Sequence, residues 1–485
     1  MKSHGGEATR RGAGLLFLFV TFPVASWMSL RGEIKMQRSA YLILIIASLI
    51  VSGACRRAPA VAPSAATPCE IALAAHPNNT EGDAKIDQEI ARLQQEIRAN
   101  ARPFQTTAMI EKLGWNFVAK ARASFDPGFY KLAEQCALCL ESKQNEKQTD
   151  NASANGPLSK PESIRSAALL LRGHALHSLH RFGEAEKIAR ELVERRGLAY
   201  DYGLLGDVLI EQGKMDDAVM AYQKFMELRP GPQAYSRAAH VRWLKGDTEG
   251  ARVLMRMSAQ AAGQGDPESA AWAWSKLAIY ELQAGELKRA HEICDAALRM
   301  QSDYAPALLV RGRVLLAENK IDEAVSTLER AAHLDPLPEY QWALADALRA
   351  ANRGDDAAKV ESQLAATGQA NDPRTYSLYL ATRGQQPETA LRLAEDELKV
   401  RRDLYTLDAL AWAQAAKGET TEAWKTMQSA LAMGTVDARL YLHAAAIAAQ
   451  AGDDKQSRFY AGKAAKTESS LLPGERIRLK QLKPV

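Results

Sequence analysis

The chain has 485 residues, 47% of them apolar, with only 31 Gly and 19 Pro, a composition that suits a largely helical protein. Its formal net charge of +4 lies wholly in residues 1–54, which hold six of the 62 Lys and Arg and two of the 58 Asp and Glu, leaving 56 of each sign beyond them. A neutral body of mixed charge excludes a nucleic-acid partner, because such binding rests on basic surface that displaces counterions from phosphates.

Residues 1–35 contain an apolar run, Gly14 to Leu30, broken by Pro23, and an Arg10-Arg11 pair. They read as a mis-assigned start or an extra leader, with Met36 as the true first residue. Residues 36–54 then form a signal peptide: a short basic start, an apolar stretch from Ala40 to Val51, and the small residues Ser52, Gly53 and Ala54 before Cys55. That stretch is too short to span a membrane comfortably.

The end of this leader resembles the lipobox of bacterial lipoproteins, in which a small residue precedes a cysteine that is acylated and becomes the new N-terminus. Ser52 stands where that family usually has Leu, so cleavage after Ala54 by ordinary signal peptidase is the alternative. The resemblance implies lipidation at Cys55 and a membrane contact through that lipid. Arg56, in place of the Asp typical of retention at the inner membrane, implies an outer-membrane anchor facing the periplasm. Residues 55–82, rich in Pro, Ala and Ser, suit an extended tether.

From residue 83 to 142 the pattern turns helical. Ile86, Ile90, Leu93 and Ile97 make one apolar stripe. Leu113-Gly114 and Phe117, followed by Ala133, Ala137 and Leu140, fit a divergent hairpin whose first helix is about two turns longer than usual. The polar segment 143–165 reads as a flexible insertion.

Residues 166–471 repeat. A small residue recurs as Ala185, Ala218, Ala251, Ala290, Ala324, Ala357, Ala390, Ala423 and Ser457, at spacings of 33, 33, 39, 34, 33, 33, 33 and 34. The one irregular spacing falls at AQAAGQGDPES, read as a longer loop. Within two copies the pattern is fuller: Leu205-Gly206, Leu209, Gly213, Ala218, Tyr222 and Pro230, then Gly312, Leu315, Ala324, Leu328, Ala331 and Pro336. These residues resemble the tetratricopeptide repeat, a helix-turn-helix unit of about 34 residues. The resemblance implies an all-α, right-handed superhelical solenoid of antiparallel hairpins, here nine repeats. Residues 472–485 would form a C-terminal cap or tail.

In that family the first helix of each hairpin lines a concave groove that binds a peptide or helix of another protein. Carrying its groove positions onto this register gives His174 and His177, then Tyr200, Asp207 and Glu211, then His240 and Trp243, Trp272, and Arg313. The later repeats supply Trp342, Asp346 and Arg349, Tyr379 and Arg383, and Tyr405, Asp408 and Trp412. Trp, Tyr and Arg dominate binding energetics because they bury large area and keep a polar contact.

A solenoid of this length leaves no block for a catalytic domain of ordinary size, and no phosphate loop, nucleophile elbow, HExxH or dinucleotide motif occurs. His291-Glu292-Ile293-Cys294-Asp295 begins like a zinc-protease helix but has Asp at the second histidine. The expectation is therefore a non-catalytic envelope scaffold with no cofactor, no metal and no small-molecule substrate. The alternative is a metal-, haem- or redox-handling protein using Cys136 and Cys139 with His174 and His177. Against it, the cysteines fall on the second helix of their hairpin and the histidines face the groove; the simpler reading is small residues packed against neighbours, or a disulfide with Cys69 in the export compartment.

Overall fold

The computed structural model describes residues 66–75, 84–99, 103–148, 160–263 and 266–482. The leader, Cys55, most of the tether and the middle of the polar insertion lie outside the described residues. Residues 66–485 form one unit, taken by itself. Its described elements are all helical: α1 (Pro68–Leu73), α2 (Ala84–Ala99), α3 (Pro103–Ser124), α4 (Gly128–Gln148), α5 (Lys160–Ser178), α6 (Phe182–Arg195), α7 (Ala199–Glu211), α8 (Met215–Leu228), α9 (Pro232–Leu244), α10 (Thr248–Ala262), α11 (Pro267–Gln283) and α12 (Leu287–Met300). There follow α13 (Ala305–Ala317), α14 (Ile321–Leu334), α15 (Pro338–Ala350), α16 (Gly354–Asn371), α17 (Pro373–Arg383), α18 (Pro387–Val400), α19 (Leu404–Lys417), α20 (Thr420–Leu431), α21 (Ala438–Gln450), α22 (Asp454–Lys466) and α23 (Pro473–Leu482), with a 3-10 turn at Glu468–Ser470 before the last.

Helices α3–α4 form the divergent hairpin, and α5–α6 through α21–α22 are the nine repeats of an all-α, right-handed superhelical solenoid. The small residue of each repeat lies where its two helices cross. Ala185, Ala218, Ala251, Ala290, Ala324, Ala357, Ala390 and Ala423 are fully buried, and Ser457 nearly so. The facing position on the first helix is as tight: a Cβ on Gly206 would sit 2.3 Å from the Tyr222 ring, and one on Gly312 would sit 2.4 Å from Leu328. Interiors packed at crystal density give no room for an added methyl there.

The turn inside each repeat uses a left-handed residue, in chain order His180, Gly213, Gly246, Gly285, Asn319, Asn352, Gly384, Gly418 and Gly452, with Gln386 a second one in the seventh repeat. The next residue then donates back to the helix, as Lys214 N does to Leu209 O (2.9 Å) and Asp453 N to Ala448 O (2.9 Å). This ends the first helix and starts the second without orphaned carbonyls.

Some lengths differ from expectation. The extra residues at the irregular spacing mostly lengthen helices: α11 has 17 residues against 13 in α9 and α13. The segment 143–165 is helical at both ends, since α4 runs to Gln148 and α5 begins at Lys160. Helix α1 is tied to α4 by a Cys69–Cys139 disulfide, Cα atoms 4.8 Å apart, and Gln94 donates to its C-terminal carbonyls, Ala72 O (3.1 Å) and Ala74 O (2.9 Å).

The superhelix also meets itself. Arg402 N, ahead of α19, donates to Glu211 O at the end of α7 (2.8 Å), and the Arg401 guanidinium lies 5.3 Å from the Phe182 ring. Thr435 Oγ1, ahead of α21, donates to Leu244 O at the end of α9. Ser469 Oγ donates to Leu282 O in α11 (2.9 Å), and Gln283 Nε2 donates to Asp437 Oδ2 (3.0 Å). The inner turns of the second, third and fourth repeats thus form a seam with the entries to the eighth and ninth and with the 3-10 turn. Two glycines make that approach possible: a Cβ on Gly213 would lie 2.7 Å from Arg402 O, and one on Gly246 would lie 2.4 Å from Gly434 O.

Candidate binding groove

The first helices of the repeats line the concave side, and the residues expected there have two distinct fates. In the first four repeats much of the surface stays accessible. Tyr200 is 41% exposed and Trp272 is 37% exposed. His174 and His177 are half-buried, with Trp115 of α3 packed 5.5 Å from His174. Asp207 and Glu211 are half-buried as well, Asp207 bound by Arg237 (2.6 Å) and by the Tyr222 hydroxyl (2.8 Å). Helix α3 continues this surface through Ala108, Glu111, Lys112, Trp115 and Asn116, which line an open depression of about 370 Å³.

Removal from water sets the charges here. Burial pushes His174 down to about 3, reinforced by His177, and His240 down to about 4, reinforced by Lys276. Both histidines are therefore neutral at physiological pH. The Lys276 ammonium is lowered by burial, partly offset by Glu339, and lies 5.9 Å from the Trp272 ring. Glu211 is raised by burial, partly offset by Arg401.

From the seam onward the groove is occupied by the chain itself, which corrects the expectation of an open surface at several residues. Trp243 is stacked between His240 (6.2 Å), Tyr280 (5.8 Å) and Tyr405 (6.1 Å), and its Nε1 donates to Gln283 Oε1 (2.8 Å). Trp342, Tyr379, Asp346, Asp408 and Trp412 are all buried. Arg439 covers Trp342 at 4.8 Å, while Trp412 lies 4.3 Å from His443 and donates to Thr382 Oγ1 (3.0 Å). Asp408 Oδ1 is 2.9 Å from His443 Nδ1. Arg383 pairs with Asp346 (3.0 Å) and Glu361 (2.7 Å), and Arg313 donates to Ser470 O (2.8 Å). Tyr405 is half-buried beneath Arg374, and Arg349 stays exposed, paired with Glu361. The covering residues were not among those picked out from the sequence: Arg439, Glu475 and Arg478 belong to the ninth repeat and the tail.

Two profiles described as tetratricopeptide repeat match the sequence, at residues 281–346 and 202–232, both inside the registered repeats. The chain carries tetratricopeptide repeats. No curated protein matches it. Solved structures similar to it include Pseudomonas aeruginosa PilF, at 16% identity over 44% of this chain and 96% of that one, TM-score 0.36. The Cut9–Hcn1 assembly of the APC/C shares 12% identity over 82% of this chain and 93% of that one, TM-score 0.30. A tetratricopeptide repeat protein from Parabacteroides merdae shares 13% over 52% of this chain and 98% of that one, TM-score 0.30. Overlaps this low carry nothing about function.

The cysteine and histidine constellation resolves differently from a metal site. Cys139 is bonded to Cys69, and Cys136 is a buried thiol packed against Gly114, its pKa pushed well above the ordinary range by burial. Such a thiol is a poor nucleophile and a poor ligand. Among the described residues no group of three His, Cys, Asp or Glu side chains gathers in a way that could hold a metal ion. Cys294, in the fragment that begins like a zinc-protease helix, is likewise buried, its thiol pushed up to about 12. No helix among the described residues is long and apolar enough to cross a membrane.

Proposed function

We propose that this protein is a non-catalytic scaffold of the cell envelope that holds a segment of another protein against the concave surface of α3, α5, α7 and α11. The observation that carries this reading is the accessible aromatic surface of that stretch: Tyr200 and Trp272 stay exposed, while Tyr405 at the same position of the eighth repeat is half-buried. Large aromatic side chains left in water on a concave face are the residues whose burial drives association. Neutral histidines and a half-buried Lys276 beside them offer hydrogen bonds without a strong field of either sign.

Export is supported by the Cys69–Cys139 disulfide, since such bonds persist in oxidising compartments and are rare in reducing ones. With the leader ending before Cys55, the reading is of a lipid-anchored protein facing the periplasm. The scaffold reading is tested by crosslinked capture from intact envelopes with the wild type and a Tyr200→Ala, Trp272→Ala double variant. Loss of one defined partner from the variant supports it; an unchanged partner set overturns it. Metabolic labelling with a fatty-acid analogue tests the anchor, which requires label on the wild type and none on Cys55→Ala.

A further inference from the structure

Helix α23 lies along the concave side of the later repeats, where a bound helix would lie. It is entered through Leu471 and Leu472, both buried, and Leu479 points inward with no exposure. Glu475 is buried and receives Arg439 Nε at 2.5 Å and Leu472 N at 2.8 Å. Gly474 N donates to Asp346 (3.1 Å). Arg476 reaches Leu316 O (3.2 Å), Arg478 reaches Thr382 O (2.9 Å), and Arg478 also lies 5.1 Å from the Trp412 ring. Asp346 and Trp412 are groove positions of the repeat register, and the two carbonyls belong to the last turns of α13 and α17.

This fit is incomplete in the way a replaceable occupant's would be. Arg313 Nε, Arg383 Nε and Gln341 Oε1 are buried without a hydrogen-bond partner although the tail is in place, which costs stability at each atom. The outer face of α23 carries Ile477, 60% exposed. The tail follows the last hairpin, so it can leave without breaking any of them.

We infer that the later repeats recognise one ligand chemistry, a short partner helix led by a leucine pair with a carboxylate one turn on, and that residues 471–482 occupy its place in cis. The carboxylate is seated on Arg439, and charge complementarity at that half-buried cation selects it. A partner helix of this kind competes with the tail, so the tail sets the threshold for binding. This rests on the scaffold reading above, but its test does not use the Tyr200 and Trp272 surface, so either can fail alone.

The test begins with the full chain carrying a protease site between Thr467 and Glu468, cut after folding. The expected result is that helix content survives, the cut tail is lost on gel filtration, and a labelled peptide of residues 468–485 rebinds. A Glu475→Gln peptide should bind at least tenfold more weakly, and the uncut chain should bind the wild-type peptide at least tenfold more weakly than the cut one. Unfolding on cutting, a tail that never exchanges, a peptide that fails to bind the emptied groove, or equal binding by cut and uncut chains each overturns the inference. Full-length dimers held by exchanged tails would overturn the partner in favour of a second copy.

Discussion

The two stretches of the concave surface share one repeat register and differ in what lies over them. Trp272 stands second in the register of the fourth repeat and is 37% exposed; Tyr405, at the same position of the eighth, is half-buried beneath Arg374 and 6.1 Å from the Trp243 ring across the seam. Trp342 stands fifth in the sixth repeat, a position where Ser275 of the fourth repeat is buried too, and Arg439 lies over its ring at 4.8 Å. A register therefore states which side chains can face the groove, and the depth of the position together with long-range closure decides which of them meet water.

Substitutions sharpen that contrast. Trp342→Ala should cost about 4 kcal/mol, because it leaves a large cavity under Arg439, whereas Trp272→Ala should cost no more than about 0.5 kcal/mol. Denaturant titration of both checks this, and equal losses would break the comparison. Next comes the seam. Gly246→Ala combines a left-handed φ of 80° with a backbone clash and should lose about 3 kcal/mol, against about 1 kcal/mol for Gly452→Ala, which has the same turn and nothing nearby. Similar thermal shifts for the two would remove the seam from the account. Cys69→Ser should cost about 2 kcal/mol, read as faster hydrogen exchange in α1 and α4 with the repeats unchanged.

The smallest effect is acid sensitivity of the open stretch. His174 and His240 titrate near 3 and 4 in the fold and near 6.5 when unfolded, so the unfolded chain takes up protons first as pH falls. Their contribution is complete above about pH 6.5 and declines from there toward pH 4. Glu211 acts in the opposite sense: its raised pKa makes its share decline as pH rises through the folded value. His240→Gln should flatten the acid limb of the thermal midpoint; an unaltered limb would assign the loss to other groups.

The hairpins were legible because each is specified locally. The small residue recurs at spacings of 33 or 34 with one exception, and Ala185 through Ser457 are all buried. The groove list followed from the same register, so it placed Tyr200 and Trp272 where they are accessible but could not show that Trp243, Trp342 and Trp412 are covered. The covering contacts join residues such as Glu211 with Arg402 and Leu282 with Ser469, which share no motif or period. Glu475, Arg476 and Arg478 read only as part of a terminal cap or tail, because their distant partners, Arg439 and the carbonyls of Leu316 and Thr382, share no motif with them. The disulfide was one option among several for the same reason: spacing alone does not place Cys69 beside α4.

Stacked hairpins ordinarily touch only their neighbours, so a family can gain or lose a unit at little cost. The contacts of Gly213 with Arg402 and of Gly246 with Gly434 remove that freedom here. Inserting or deleting one hairpin between the third and eighth repeats would carry each inner turn past its opposite number by a whole unit. The number of repeats between those points is then a structural constant, and any variation in length must fall outside the loop they close.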